Sequence, residues 1–281
     1  MKQPLKIALV AIALAAAGCA LSRGVHIAQA RATEAGVVSA TLSQGGISQI
    51  LADAGRGQPA WDGVLLENRG SSRIGDIRLW GAGPVDLIAP TAGSFSPFTL
   101  KPGERFLCRE TQGGLEGSFL WTMPVDAAAA AAGIQRIRHG RLEPGRGVVL
   151  QPKGGEAWVQ LVVDAPFDHT GARIGWESQP SRALTAYVSL DGRAWGQAVG
   201  STGEAWLKPL DVSATVKGKR RFWVRLTTPA GKSEVVVGKL RIERDAAAIG
   251  HIRPFRPGIN ESAIAFDAPR GALMEFKLLG E

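Results

Sequence analysis

The sequence predicts an all-β protein made of two β-sandwich-like domains behind a short, cleavable N-terminal segment. Three observations carry that expectation. The 281 residues include 36 Gly and 16 Pro, so turns are frequent, and 45% of them are hydrophobic, enough to fill buried cores. Leu184, Ala186, Val188 and Leu190 alternate with Thr185, Tyr187 and Ser189, the period of two that sends successive side chains to opposite faces of a strand. Downstream of residue 145, roughly seven such stretches succeed one another between Gly, Pro, Asn and Asp residues, as the strands of a sandwich do.

The N-terminus reads as an export address. Lys2 and Lys6 precede an apolar run over residues 7–17, long enough for a signal peptide and too short to span a bilayer, so residues 1–18 are expected to be removed. Ala16-Ala17-Gly18-Cys19 resembles the bacterial lipobox. The resemblance implies lipidation at Cys19 and membrane attachment through that anchor. Ordinary cleavage near Ala17 to Ala20 is the alternative. Ala20, where an Asp would retain a lipoprotein in the inner membrane, implies sorting to the outer membrane in a diderm host; without the lipid the protein would be periplasmic or secreted. Cys108 is the only other cysteine, and in the apolar run 105–109 it reads as a small buried hydrophobe rather than a nucleophile.

Residues 19–36 are small and polar and read as a tether. An N-terminal β domain is expected over 37–145. Within it, 37–42, 63–67 and 74–80 read as strands, the Gly-Pro stretch 81–84 breaks the chain before 85–89, and Ile47, Ile50 and Leu51 suggest a short helix or turn over 47–54. Pro-Gly pairs at 102–103, 144–145 and 257–258 follow a charged residue and predict type II turns. The alanine run after Asp126 predicts a short helix or connecting loop, with Asp126 as its cap and Gly133 as its stop. The basic stretch 134–146 marks the boundary. A C-terminal β-sandwich domain, 146–281, is then expected from strands at 156–163, 172–176, 184–190, 221–226, 234–244, 262–266 and 273–279. Asp191-Gly192 is a tight-turn pair that makes 184–190 one arm of a hairpin.

Ser189-x-Asp191-Gly192-x-x-Trp195, followed by the stretch 211–218 and by Phe222-Trp223-Val224-Arg225-Leu226, resembles the β-sandwich modules, discoidin-like and fibronectin-like, of secreted bacterial carbohydrate-associated proteins. The resemblance covers residues 147 to 244. It implies the fold and an association with carbohydrate. Ser189 and Asp191 also resemble the sialidase Asp box, which in that family forms a turn and takes no part in catalysis.

No nucleophile elbow, zinc-protease helix, paired Cys-x-x-Cys or phosphate-binding loop occurs, and His26, His139, His169 and His251 have no metal-ligand spacing. Asp168-His169 reads as a turn pair at a strand end, because neighbouring strand residues point to opposite faces. No catalytic residue, metal or cofactor is therefore expected. Eight Trp stand against one Tyr, and strand parity places Trp158 with Gln160, Trp223 with Arg221 and Arg225, and Trp80 with Asp76 and Arg78, on polar faces. Trp223, Arg225, Arg221, Trp195 and Trp158 are the candidate ligand-binding residues, with the basic turn 217–221 beside them. A net charge of +8 favours an anionic partner. The expected partner is a polysaccharide or envelope glycan, with no nucleic acid. A structural or assembly role through contacts with envelope proteins is the alternative. A secreted glycoside hydrolase would need two facing carboxylates, with Glu67, Asp76, Glu177 and Glu204 as candidates.

Overall fold

Alternating apolar and polar residues become strand almost wherever they occur. The computed structural model describes residues 25–29, 31–32, 38–42, 46–54, 61–82, 98–111, 114–180, 184–196, 198–202, 205–231, 233–248, 258–267, 269–270 and 272–280, and over these the chain is all-β with a few short helical turns. The first half supplies β1 (Val25–Gln29), β2 (Arg31–Ala32), β3 (Val38–Leu42), β4 (Gly46–Ala54), β5 (Trp61–Asn68), β6 (Ile74–Ala82), β7 (Phe98–Leu100), β8 (Glu104–Thr111) and β9 (Gly114–Thr122). Helix α1 (Ala127–Ala131) follows, capped by the Asp126 carboxylate, which accepts the Ala129 N–H at 2.8 Å. The second half continues with β10 (Ile134–Arg138), β11 (Gly140–Glu143), β12 (Gly147–Leu150), β13 (Ala157–Asp164), β14 (His169–Gln179), β15 (Leu184–Ser189), β16 (Gly200–Thr202), β17 (Leu210–Asp211), α2 (Ser213–Val216), β18 (Arg221–Thr228) and β19 (Val235–Ala248). Strands β20 (Gly258–Asp267) and β21 (Met274–Gly280) close the chain.

In the second half a five-stranded sheet, β10-β13-β18-β15-β16, faces the layer formed by β11, β12, β19, β14 and β17. One hydrophobic core fills the space between them. Val159, Leu161, Phe222, Val224 and Leu226 enter it from the first sheet, and Ile174, Trp176, Val235, Val237 and Leu240 from the second. Trp176 is fully enclosed. At ~25 cal/mol per Å² over roughly 200 Å², its burial contributes at most about 5 kcal/mol.

Strand β19 joins the two halves. Along its 14 residues one edge pairs with β12 at Val235–Val237 and with β9 at 241–248, while the other carries β14. The second layer therefore continues through β9, β8, β5, β21, β3 and β2 into the first half. There Val64, Leu66, Phe106, Phe119 and Phe276 are buried, and so is Cys108, whose thiol burial pushes up to about 12.

Several expectations are met. The Lys101–Glu104 and Glu143–Arg146 turns close with i to i+3 hydrogen bonds of 2.9 and 3.2 Å, and Gly103 and Gly145 take φ of +74° and +72°. Others need correction. Residues 47–54 lie in β4, a strand paired with β1 and β20, not a helix or turn. β1 and β2 fall inside the stretch expected to be a tether. β20 pairs with β4 and β6, and β21 with β3 and β5, so residues 258–280 pair with the first half although their sequence position had assigned them to the second. Alternation fixes which face of a strand is buried and says nothing of the neighbour it will meet; Met274 and Phe276 find their burial against the first half. Residues 1–18, Cys19 and 85–89 lie outside the described residues.

Candidate ligand-binding face

The outer surface of the five-stranded sheet gathers most of the aromatic and basic residues singled out by parity. Register sets Gln160 opposite Arg225, Val162 opposite Trp223, and Tyr187 opposite Arg225 on the other side. From this frame the Arg225 guanidinium lies between two indoles, 4.2 Å from the Trp158 ring centroid and 3.8 Å from that of Trp195. Its Nη2 donates to Gln160 Oε1 at 2.7 Å, and Gln160 Nε2 donates onward to Gln135 Oε1 at 2.8 Å. Stacking against two π faces and a planar fork fixed by hydrogen bonds hold the cation in one orientation. Arg136 approaches Trp158 from β10 at 5.6 Å.

Burial, first, pushes the Arg225 pKa down from its ordinary value; Glu156 opposes that shift, while Arg136 and Arg138 reinforce it. An arginine stays protonated through such a shift. The result is a cationic cluster of Arg225, Arg136 and Arg138 with Glu156 as the counter-charge. Arg225 Nε is buried without a hydrogen-bond partner.

The loop after β15 places Trp195. Asp191 Oδ1 accepts the N–H groups of Arg193 and Ala194, each at 2.8 Å, and the Ser189 hydroxyl at 2.9 Å. These bonds hold the Asp191 carboxyl below the usual carboxylate range. Gly192 takes φ +72°, and a Cβ there would lie 2.8 Å from the Trp223 indole. The turn is thus built on the Trp223 ring. β15 and β16 pair antiparallel, so 184–189 is one arm of a hairpin as expected, but the connection between them is longer than a two-residue turn, with Asp191 binding backbone amides ahead of it.

Of the five candidate residues, Trp158, Arg225 and Trp195 meet in the stack. Trp158 is 4% exposed, so its ring is covered by the guanidinium rather than open as a platform. Trp223 lies two positions along β18 under the Gly192 turn, half-buried. Arg221, at the start of β18, stands 3.6 Å from Asp164 and lines a cleft between the two halves. Arg136, Arg138 and Gln135 join this face although nothing in the local sequence marks them as site residues. Their strand lies at the sheet edge, and the basic stretch there reads locally as a linker. On the opposite layer Trp206 stacks with Arg241 at 4.8 Å, a pairing of residues far apart in sequence.

His169 is buried, with neither ring nitrogen hydrogen-bonded, while Asp168 is paired with Arg220 at 3.0 Å. The two therefore do not form a dyad. Among the described residues no group of three or more His, Cys, Asp or Glu could hold a metal ion, and no helix is long and apolar enough to cross a membrane.

No protein family matches the chain, and no curated protein does. Among solved structures it is similar to that of infectious bursal disease virus Gx strain, with 11% identity and a TM-score of 0.25 over 87% of this chain and 80% of the other. The crystal structure of the infectious bursal disease virus VP2 subviral particle matches with 11% identity and a TM-score of 0.20 over the same shares. Likeness at this level carries no argument about fold or function.

Proposed function

We propose that this chain is an exported, non-catalytic cell-envelope lipoprotein with two β-sandwich-like domains, and that the outer face of β13 and β18 binds an anionic glycan. The single observation that carries the reading is the Arg225 guanidinium held between Trp158 and Trp195 beside Arg136 and Arg138. A pre-oriented guanidinium suits a carboxylate or sulfate, while the half-buried Trp195 and Trp223 rings offer faces to sugar C–H groups. The lipobox-like Ala16-Ala17-Gly18-Cys19 supports anchoring at Cys19, in the outer membrane or, unlipidated, in the periplasm or outside the cell.

The test compares binding of the mature chain, produced from residue 20 so that it lacks the lipidated cysteine, to polygalacturonate and to neutral dextran. Trp195→Ala and Arg225→Met are the informative variants, because Trp223→Ala would also disturb the turn resting on that ring. Loss of the stack is expected to weaken binding to the acidic polymer about tenfold or more. Failure of the wild type to bind any acidic polymer favours the alternative, an assembly component acting through protein contacts.

A further inference from the structure

We infer that the cleft between the two halves is a second binding site, separate from the sheet face, for a small organic anion bearing a carboxylate or phosphate. The cleft holds about 620 Å³, within the range of small-ligand pockets. Its lining carries the cations Arg73, Lys101, Arg220, Arg221 and Arg244 against the carboxylates Asp76, Glu104 and Asp164. Phe98, Phe119 and Phe167 also line it, with ring centroids 5.8 and 5.1 Å apart along the row, and give it an apolar side for the body of a ligand.

The positive surplus sits where an anion could reach it. Deep in the cleft Arg244 Nη2 donates to Glu104 Oε1 at 2.6 Å, and Glu104 Oε2 accepts the Lys101 backbone N–H at 2.9 Å. Each Glu104 oxygen thereby accepts a hydrogen bond from a group other than the Lys101 ammonium. That ammonium, a donor of three hydrogen bonds, makes one among the described residues, to the Val162 carbonyl at 2.9 Å. Burial is the main cause that lowers its pKa; Glu104 and Asp164 oppose that shift, while Arg244 and Arg73 add to it. Arg73 is exposed at the opposite wall and has no ion pair among the described residues, and Arg221 is held by Asp164 only at 3.6 Å. Low-dielectric walls focus the field of these charges into the cleft. An oxyanion there would take the free Lys101 N–H groups and the Arg73 and Arg221 forks.

The experiment is calorimetric titration of the mature chain with glucuronate, inorganic phosphate and, as the neutral control, glucose. Saturable binding of either anion but not glucose is expected, with a loss of about tenfold or more in each of Lys101→Met and Arg73→Ala. Trp195→Ala should leave it unchanged, which separates this site from the sheet face. Competition by phosphate against glucuronate would assign recognition to the oxyanion, and binding of glucuronate alone to an acidic sugar. No anion binding overturns the inference, as does binding indifferent to Arg73→Ala, an exposed change that leaves the fold intact even if Lys101→Met does not.

Discussion

Replacing Arg244 by Met should be among the most damaging single changes to stability in the described part of the chain. Arg244 and Glu104 lie 140 positions apart, with side chains only 6% and 3% exposed, and Arg244 also donates to the Asp164 carbonyl at 3.1 Å and covers the Phe119 ring at 4.4 Å. Methionine fills much of the volume but leaves Glu104 as a buried carboxylate with one backbone donor. Removing one partner of such a pair costs about 3–5 kcal/mol. At about 2–4 °C per kcal/mol for a large domain, the melting temperature should fall by roughly 10 °C. Arg244→Met with Glu104→Leu removes both charges, and the double variant should recover to within about 2 kcal/mol of wild type. Thermal and urea unfolding followed by circular dichroism measure both. A loss below about 1 kcal/mol in Arg244→Met, or a double variant as unstable as the two singles combined, would refute the claim that this ion pair fastens β19 to β8 and β13.

Two further predictions concern single groups. Burial, and next the charge of Arg244, lower the His169 pKa from 6.5 to about 4, so the folded state resists a proton that the unfolded chain accepts; stability is complete above pH 6.5 and falls by about 3 kcal/mol as pH drops from there to about 4. The urea midpoint of wild type should follow that slope and His169→Leu should flatten it; parallel profiles would show that another group titrates. Gly192→Ala forces a Cβ into a left-handed conformation 2.8 Å from the Trp223 ring, which should cost about 1–2 kcal/mol and displace Trp195. The expected readout is lower stability together with weaker polygalacturonate binding, and unchanged values in both would contradict the packing described.

Much of the sheet face could be read from period-two alternation alone. Parity put Trp158 with Gln160 and Trp223 with Arg221 and Arg225, and β13 and β18 present them so. The Pro-Gly turns at 102–103 and 144–145 and the Asp126 cap were legible because local chemistry determines them; Pro257 lies outside the described residues. What crosses between strands was not. Nothing near Trp158 in sequence says that Arg225 will cover its ring, and nothing near Glu104 names Arg244. The return of β21 to pair with β3 and β5 was hidden for the same reason: Met274 and Phe276 would suit any half-buried sheet. Asp191-Gly192 marked the hairpin of β15 with β16, but not the length of its connection: Asp191 also binds amides ahead of it, and the longer loop brings Trp195 over Arg225.

The most direct test of the anionic-glycan reading is calorimetric titration of the mature chain with polygalacturonate at low and physiological salt, alongside Arg225→Met and Trp195→Ala. The account predicts saturable binding that weakens as salt rises, a loss of about tenfold or more in each variant with circular dichroism unchanged, and no heat with neutral dextran. Binding that both variants retain in full, or none in the wild type, would contradict it.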